Sequence, residues 1–227
     1  VTGAGQYIDD MATPETLRVA FVRSQEAHAR ITSIDIDDAL AIDGVVAIWT
    51  ADDIDLNDQP MTTPGIETPP YFRPPLAKGL VRYVSEPIAI VIATSARTAH
   101  DAADLVWVDY DPLPVVNSPL DALTDETVLH ESAGTNIIES FETGAPIDTT
   151  EYDVVVDLVL ENQRLGPASI EPNGMLARPM DGGGVETWIS CQGAHRVQAP
   201  LAEMLDAPVH VHVPDVGGAF GMKGPFY

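Results

Sequence analysis

Apolar and polar positions alternate with period two in several short stretches, which predicts a chain built mainly of strands. Leu17, Val19 and Phe21 share one face of residues 16–22, the spacing of a strand. Ile34 and Ile36 alternate with Asp35 and Asp37, predicting a second strand over 29–37. Asp37 and Asp38 are candidate N-caps for a short helix through Leu40, Gly44 breaks it, and 45–49 reads as a third strand. Residues 88–94 form an apolar, β-branched run too short for a helix and suited to a buried strand. Ser95 then stands as an N-cap, with Ala99, Ala102, Ala103 and Val106 at the spacing of one helix face. Residues 107–110 predict the next strand, so a strand–helix–strand unit occupies about 25 residues, its parallel or antiparallel sense open.

Between these elements, 52–75 is crowded with acids and with Pro60, Pro64, Pro69, Pro70, Pro74 and Pro75. Proline lacks a backbone donor and fixes φ, so a long surface loop is expected. Periodicity fades from 112 to 150, where a domain linker is expected. Beyond it, 154–160 alternates around Asp157 and 184–191 reads as a strand. A short helix is expected to start near Pro200 and run through Leu201, Met204 and Leu205. Val209, Val211 and Val213 alternate with His210 and His212 in a last strand. A glycine-rich loop over 216–224 follows it. A loop needs elements on both sides, so the 227 residues read as part of something longer.

Composition narrows the function classes. The net charge is −24, from 35 acids against 11 bases, with only Lys78 and Lys223 as lysines. That balance argues against nucleic acid, itself a polyanion. It reads as adaptation to high salt, or as an acidic face meeting solvent or a basic subunit. With 45% apolar residues the chain can bury a core. No apolar stretch is long enough to span a membrane and no signal peptide is visible, so a soluble, cytoplasmic protein is expected. A single cysteine, Cys191, excludes an internal disulfide framework and a four-cysteine cluster.

The glycine loop is the strongest chemical signal. Its glycines permit positive φ and close approach of a ligand, and successive amides can form a nest for phosphate oxygens. The pattern is neither GxGxxG nor GxxxxGK[ST]. Gln192 follows a predicted strand, with an amide able to donate and accept; by spacing alone it is equally a turn residue. His210 and His212 share a strand face without a third ligand at suggestive spacing, and His195 and Cys191 read as packing residues. His130-Glu131 is not completed to HExxH, and Glu86, Glu161 and Glu171 carry no pairing signal.

Taken together, several stretches resemble the molybdenum-binding large subunit of the xanthine oxidase family, notably its carbon monoxide dehydrogenase-like and aldehyde oxidase-like branches. They are Gly3 to Asp10, Val22-Arg23-Ser24, Ala27 to Ile31, Val81 to Pro87 and Val108 to Pro114, then Asn162-Gln163-Arg164, Ile170-Glu171-Pro172, Ser190-Cys191-Gln192 and Gly217 to Gly221. The resemblance implies an α+β (mixed α/β) chain with an α/β hammerhead domain over 1–120, a linker over 121–150 and the start of a molybdopterin-binding domain over 151–227. It places Gln192 beside a molybdenum centre, Phe220 and Gly221 close to it, and the amides of Gly217 and Gly218 at the cofactor's phosphate region. The implied cofactor is a molybdopterin-type molybdenum cofactor, the cytosine dinucleotide form included. Partner chains would be an iron–sulfur (2Fe-2S) small subunit and an FAD-binding medium subunit, in a higher oligomer acting on a small molecule. The family's catalytic glutamate is expected beyond residue 227. Two departures stand out: Ala219 where a third glycine is usual, and Ala194 where a proline is common. A non-catalytic assembly subunit or decayed remnant is the alternative these suggest.

Overall fold

The computed structural model describes residues 2–60, 71–140, 143–145, 148–163 and 165–224. The first half builds two three-stranded sheets whose strands are drawn out of chain order, together with a two-stranded ladder, among the described residues. Strands β1 (Arg18–Arg23), β2 (Ala29–Asp35) and β3 (Val45–Thr50) are followed by two-residue ladders β4 (Gln59–Pro60), β5 (Phe72–Arg73) and β6 (Leu80–Val81). β7 (Pro87–Ala93), helix α2 (Ala96–Ala103) and β8 (Trp107–Pro112) complete this half, with α1 (Asp37–Leu40) lying between β2 and β3. β7 is the centre of one antiparallel sheet, ordered β1–β7–β3, and β2 is the centre of another, ordered β6–β2–β8.

The apolar run of 88–94 takes that central place because both its faces are covered. Ile88, Ala89, Val91 and Ala93 have no exposed surface. Ser95 caps α2 as its position predicts, its hydroxyl accepting the Thr98 N–H at 3.0 Å. Ala99 and Ala102 press the helix onto the sheet, and small side chains allow that close approach. The strand–helix–strand unit is real in order but not as one sheet, since β7 and β8 belong to different sheets. β1 forms with the expected alternation: Ala20 and Val22 are buried, while Leu17, Val19 and Phe21, on the other face, stay about half exposed. α1 begins one residue after Ile36, and its first N–H is capped by Asp35 rather than by Asp37 or Asp38.

The acidic, proline-rich stretch departs from a simple surface loop. β4 pairs with β5, and Tyr71 and Leu76 are buried; residues 61–70 lie outside the described residues. The Tyr71 hydroxyl lies within hydrogen-bond distance of the Thr135 and Ile137 carbonyls, and Arg82 Nε donates to the Leu129 carbonyl at 2.8 Å. A short helix α3 (Pro119–Ala122), capped by Ser118, precedes this segment. The Asn136 side chain then gathers it, accepting from Leu129 N and donating to Ala122 and Thr127 carbonyls.

The second half contains β9 (Met175–Pro179), β10 (Val185–Ile189), helix α4 (Ala194–Leu205) and β11 (Val209–His212). β10 lies between an antiparallel β9 and a parallel β11, so β10–α4–β11 is a strand–helix–strand unit within one sheet. Val197 and Leu201 of α4 pack on Ile189, Cys191 and Val209. The helix starts at Ala194, six residues before the expected start, because Gly193 provides the extended N-cap. Pro200 therefore sits inside it, and lacking an N–H it leaves the Arg196 carbonyl without its helical donor. Asn57 ties the halves together at the other end of α4, donating to the Glu203 and Met204 carbonyls. Gln6 does so near the glycine loop, exchanging hydrogen bonds with Asp215.

One expected strand is absent. Residues 154–160 form no ladder among the described residues, and Val154, Val156, Leu158, Val159 and Leu160 are all largely exposed. Alternation makes a segment competent for a strand, but only a partner edge makes it one.

Candidate functional site

The end of β10, the start of α4 and the loop after β11 converge. Ser190, Cys191 and Gln192 extend beyond β10, and the loop from Val216 to Gly224 folds back against them. Gln192 N–H donates to the Lys223 carbonyl at 2.9 Å, which fixes its backbone against the loop. Its side chain is exposed, makes no hydrogen bond among the described residues, and lies beside Gly224. Cys191 turns inward as a core residue.

A buried ion pair underlies the loop. Lys223 Nζ, with no exposed side-chain surface, donates to Glu171 Oε2 at 2.9 Å and to Ser190 Oγ at 2.8 Å. The same carboxylate oxygen accepts the Ser190 hydroxyl and the Gly217 N–H. Desolvation works to raise the Glu171 pKa, but these hydrogen bonds and the Lys223 charge outweigh it and hold the pKa at about 2. Sequence reasoning left Glu171 and Lys223 without roles. Fifty-two residues separate them, so no local spacing signals the pair.

The loop's conformation explains its composition. Gly218 and Gly221 have φ of +100° and +91°, a region favourable only to glycine, and a Cβ on Gly217 would lie 2.5 Å from the Glu171 Cβ. Phe220 also has positive φ, at 50°, and carries its ring to a tip that is 74% exposed. Ala219 is not among the residues of positive φ, so its methyl costs the loop no strain. Ala194 occupies the first position of α4, where a proline would equally fit.

Of the five residues proposed from sequence, Gly217, Gly218, Phe220 and Gly221 share the loop and Gln192 is tied to its far end through Lys223, with one correction of detail. The Gly217 N–H is already taken by Glu171 and is not free for a ligand. The N–H groups of Gly218, Ala219, Phe220 and Gly221 have no partner among the described residues. Ser169 Oγ and Glu171 Oε1 are buried beside the loop without partners among the described residues, and a group bound over the loop would satisfy Ser169 Oγ. This set fits an anionic, hydrogen-bonding cofactor. Amides must supply the anion contacts, because Lys223 is already neutralised by Glu171.

The histidines do not assemble elsewhere. His195 is exposed on α4, and among the described residues no group of three His, Cys, Asp or Glu could hold a metal ion. His212 stacks on Trp188 with ring centroids 5.1 Å apart and bonds Glu186, which also pairs with Arg178. His130 meets the edge of Tyr71, and burial followed by the Arg82 charge pushes its pKa down. Among the described residues no helix is long and apolar enough to cross a membrane.

Comparison with known proteins finds two family matches along the chain, the second beginning at 129, within the expected linker. Residues 2–114 match the aldehyde oxidase and xanthine dehydrogenase a/b hammerhead domain, and 129–227 match the molybdopterin cofactor-binding domain. The chain is 33% identical to the nicotine 6-hydroxylase large subunit of Paenarthrobacter nicotinovorans, over 98% of its own length and 28% of that protein. It is 33% identical to the carbon monoxide dehydrogenase large chain of Hydrogenophaga pseudoflava, over 100% and 30%. Quinoline 2-oxidoreductase from Pseudomonas putida 86 superposes with a TM-score of 0.85 at 33% identity, over 98% of this chain and 29% of that one. Aldehyde oxidoreductase from Desulfovibrio gigas superposes with a TM-score of 0.80 at 26% identity, over 98% and 26%. The chain spans less than a third of the length of each of these relatives. With a hammerhead domain followed by molybdopterin-binding sequence, it belongs to the xanthine oxidase family, whose members are molybdenum-dependent oxidoreductases, and corresponds to the N-terminal part of their large subunits.

Proposed function

We propose that the complete protein is the large subunit of a molybdenum hydroxylase, oxidising an aldehyde, an N-heterocycle or carbon monoxide with oxygen derived from water. The observation that carries this reading is the row of unpartnered amides at 218–221 beside the exposed Gln192 amide, inside a molybdopterin-domain match. When bound, the cofactor would supply the metal centre at which two-electron oxidation takes place.

The chain's own residues then have distinct tasks. The N–H groups of Gly218, Ala219, Phe220 and Gly221 bind negatively charged oxygen without any cationic side chain, which suits a protein of −24. Gln192 offers both a donor and an acceptor and orients the groups it faces. The Phe220 ring, folded back against Gly218, offers an exposed apolar surface at the loop tip that a bound group would cover. The proton-accepting glutamate belongs, in this reading, to large-subunit sequence outside these 227 residues. Electrons would pass to 2Fe-2S and FAD groups on small and medium partner chains in a cytoplasmic higher oligomer, and one cysteine here suits clusters held elsewhere. The cytosine dinucleotide form of the cofactor is our expectation.

Metal analysis and pterin fluorescence on the complete protein, produced with its partners, test this. Molybdenum and an oxidised pterin fluorophore are expected together. A well-folded protein lacking both would overturn it.

A further inference from the structure

Glu171 and Lys223 touch neither the loop's free amides nor the Gln192 side chain, yet they hold the backbone on both sides of them. Glu171 Oε2 takes the Gly217 N–H at 2.8 Å, and Glu171 N donates to the Gly217 carbonyl at 3.2 Å, so the loop's entrance is fixed twice. Lys223 fixes its exit. Its Nζ reaches the same carboxylate oxygen, while its carbonyl accepts the Gln192 N–H. Ser190, two residues before Gln192, bonds both members of the pair. One carboxylate oxygen thereby joins the strand end, the loop entrance and the loop exit.

We propose that Glu171 and Lys223 are positioning residues that set the separation of Gln192 from the amides of 218–221. Stability alone does not account for the pair. Taking two charges out of water is costly, and apolar residues of similar volume commonly serve a core as well or better. A point charge meeting three donors on one oxygen does what apolar packing cannot, because hydrogen bonds have direction and fixed length. Gly217 fits the same purpose: its missing Cβ lets the loop backbone close on Glu171.

This rests on the molybdenum-hydroxylase reading, and the test separates the two. The complete protein, assembled with its partners, is prepared as wild type, Lys223→Met, the Glu171→Gln/Lys223→Met double variant, and Val91→Ala. Val91 is a buried β7 residue whose core cluster, with Val22, Ile48 and Ala102, includes no residue of the loop or of the end of β10. Melting temperature, molybdenum per polypeptide and the Mo(V) resonance after dithionite reduction are measured on each. Lys223→Met is expected to shift the g-values of the remaining molybdenum. The double variant is expected to regain melting temperature, since no charge is left unpaired, but to keep the shifted signal. Val91→Ala is expected to melt lower with wild-type g-values. Wild-type g-values in Lys223→Met or in the double variant, or shifted ones in Val91→Ala, would overturn the proposal. Should Lys223→Met not fold, Lys223→Arg keeps the charge with a different reach, and wild-type g-values there would overturn it too. Wild-type protein without molybdenum would instead overturn the functional reading beneath it.

Discussion

Acidification should loosen the glycine loop through Glu171 specifically, and the size of the effect follows from its surroundings. Its pKa is held at about 2, against an ordinary 4.5. A carboxylate whose folded pKa is depressed contributes stability that is fully present above its unfolded pKa and is lost as pH falls through the folded one. The side chain is only 15% exposed, so screening by water is slight. With 1.36 kcal/mol per tenfold change, the gap corresponds to about 3 kcal/mol at pH 7 and about 1 kcal/mol at pH 3. Exchange of the Gly217 N–H requires local opening that breaks its bond to Glu171, so hydrogen exchange at that amide reports this difference without global unfolding. Between pH 7 and pH 3 its protection, corrected for intrinsic exchange, should fall roughly thirtyfold. In Glu171→Gln the amide does not titrate, so protection should start lower and stay level. Parallel profiles in the two proteins would show that Glu171 does not hold the loop, and the reasoning would fail.

Gly218→Val in the complete protein places a β-branched residue at φ +100° with its Cβ 3.0 Å from the Phe220 ring, a strain of about 1–3 kcal/mol confined to the loop. Molybdenum content should fall while the melting temperature changes little; full occupancy would reduce the loop to a turn. Gln192→Ala removes an exposed side chain with no partner among the described residues, so fold and cofactor content should persist. If that amide meets a charged group, about 1.5–3 kcal/mol is lost, and turnover per molybdenum should fall roughly ten- to a hundredfold. Salt should raise the melting temperature beyond that of a neutral control, as the Debye length shrinks from about 10 Å at 0.1 M to about 3 Å at 1 M. Five carboxylates have ion-pair partners among the described residues, against 35 in the chain. An unchanged melting temperature would place the surplus acids against a partner.

What could be read from the sequence was what neighbours along the chain decide. The Ser95 cap, the alanine face of α2 and the apolar β7 all depend on residues within a few positions, and each forms as predicted. β9 was missed because Met175, Leu176 and Ala177 run together without period-two alternation, and it pairs only because a turn over 180–184 returns it to β10. The α4 start was misjudged because Pro200 suggested a boundary, whereas Gly193 provides it. Within the site, glycines and Gln192 were legible by type and order. Their buried support was not, because Glu171, Ser190, Gly217 and Lys223 meet only in three dimensions.

Residues 154–160, Val-Val-Val-Asp-Leu-Val-Leu, are β-branched or apolar on both faces and lie uncovered. Six such residues around Asp157, without proline or glycine, have the composition of segments that stack into cross-β fibrils. Asp157 is the one charge among them, and charges placed within such runs act as gatekeepers against self-association. Until that stretch is covered, concentration is therefore hazardous to this polypeptide, and Asp157 guards its solubility during synthesis. At high salt the protection weakens, because the ions that relieve repulsion across the acidic surface also screen the single carboxylate that keeps these segments apart.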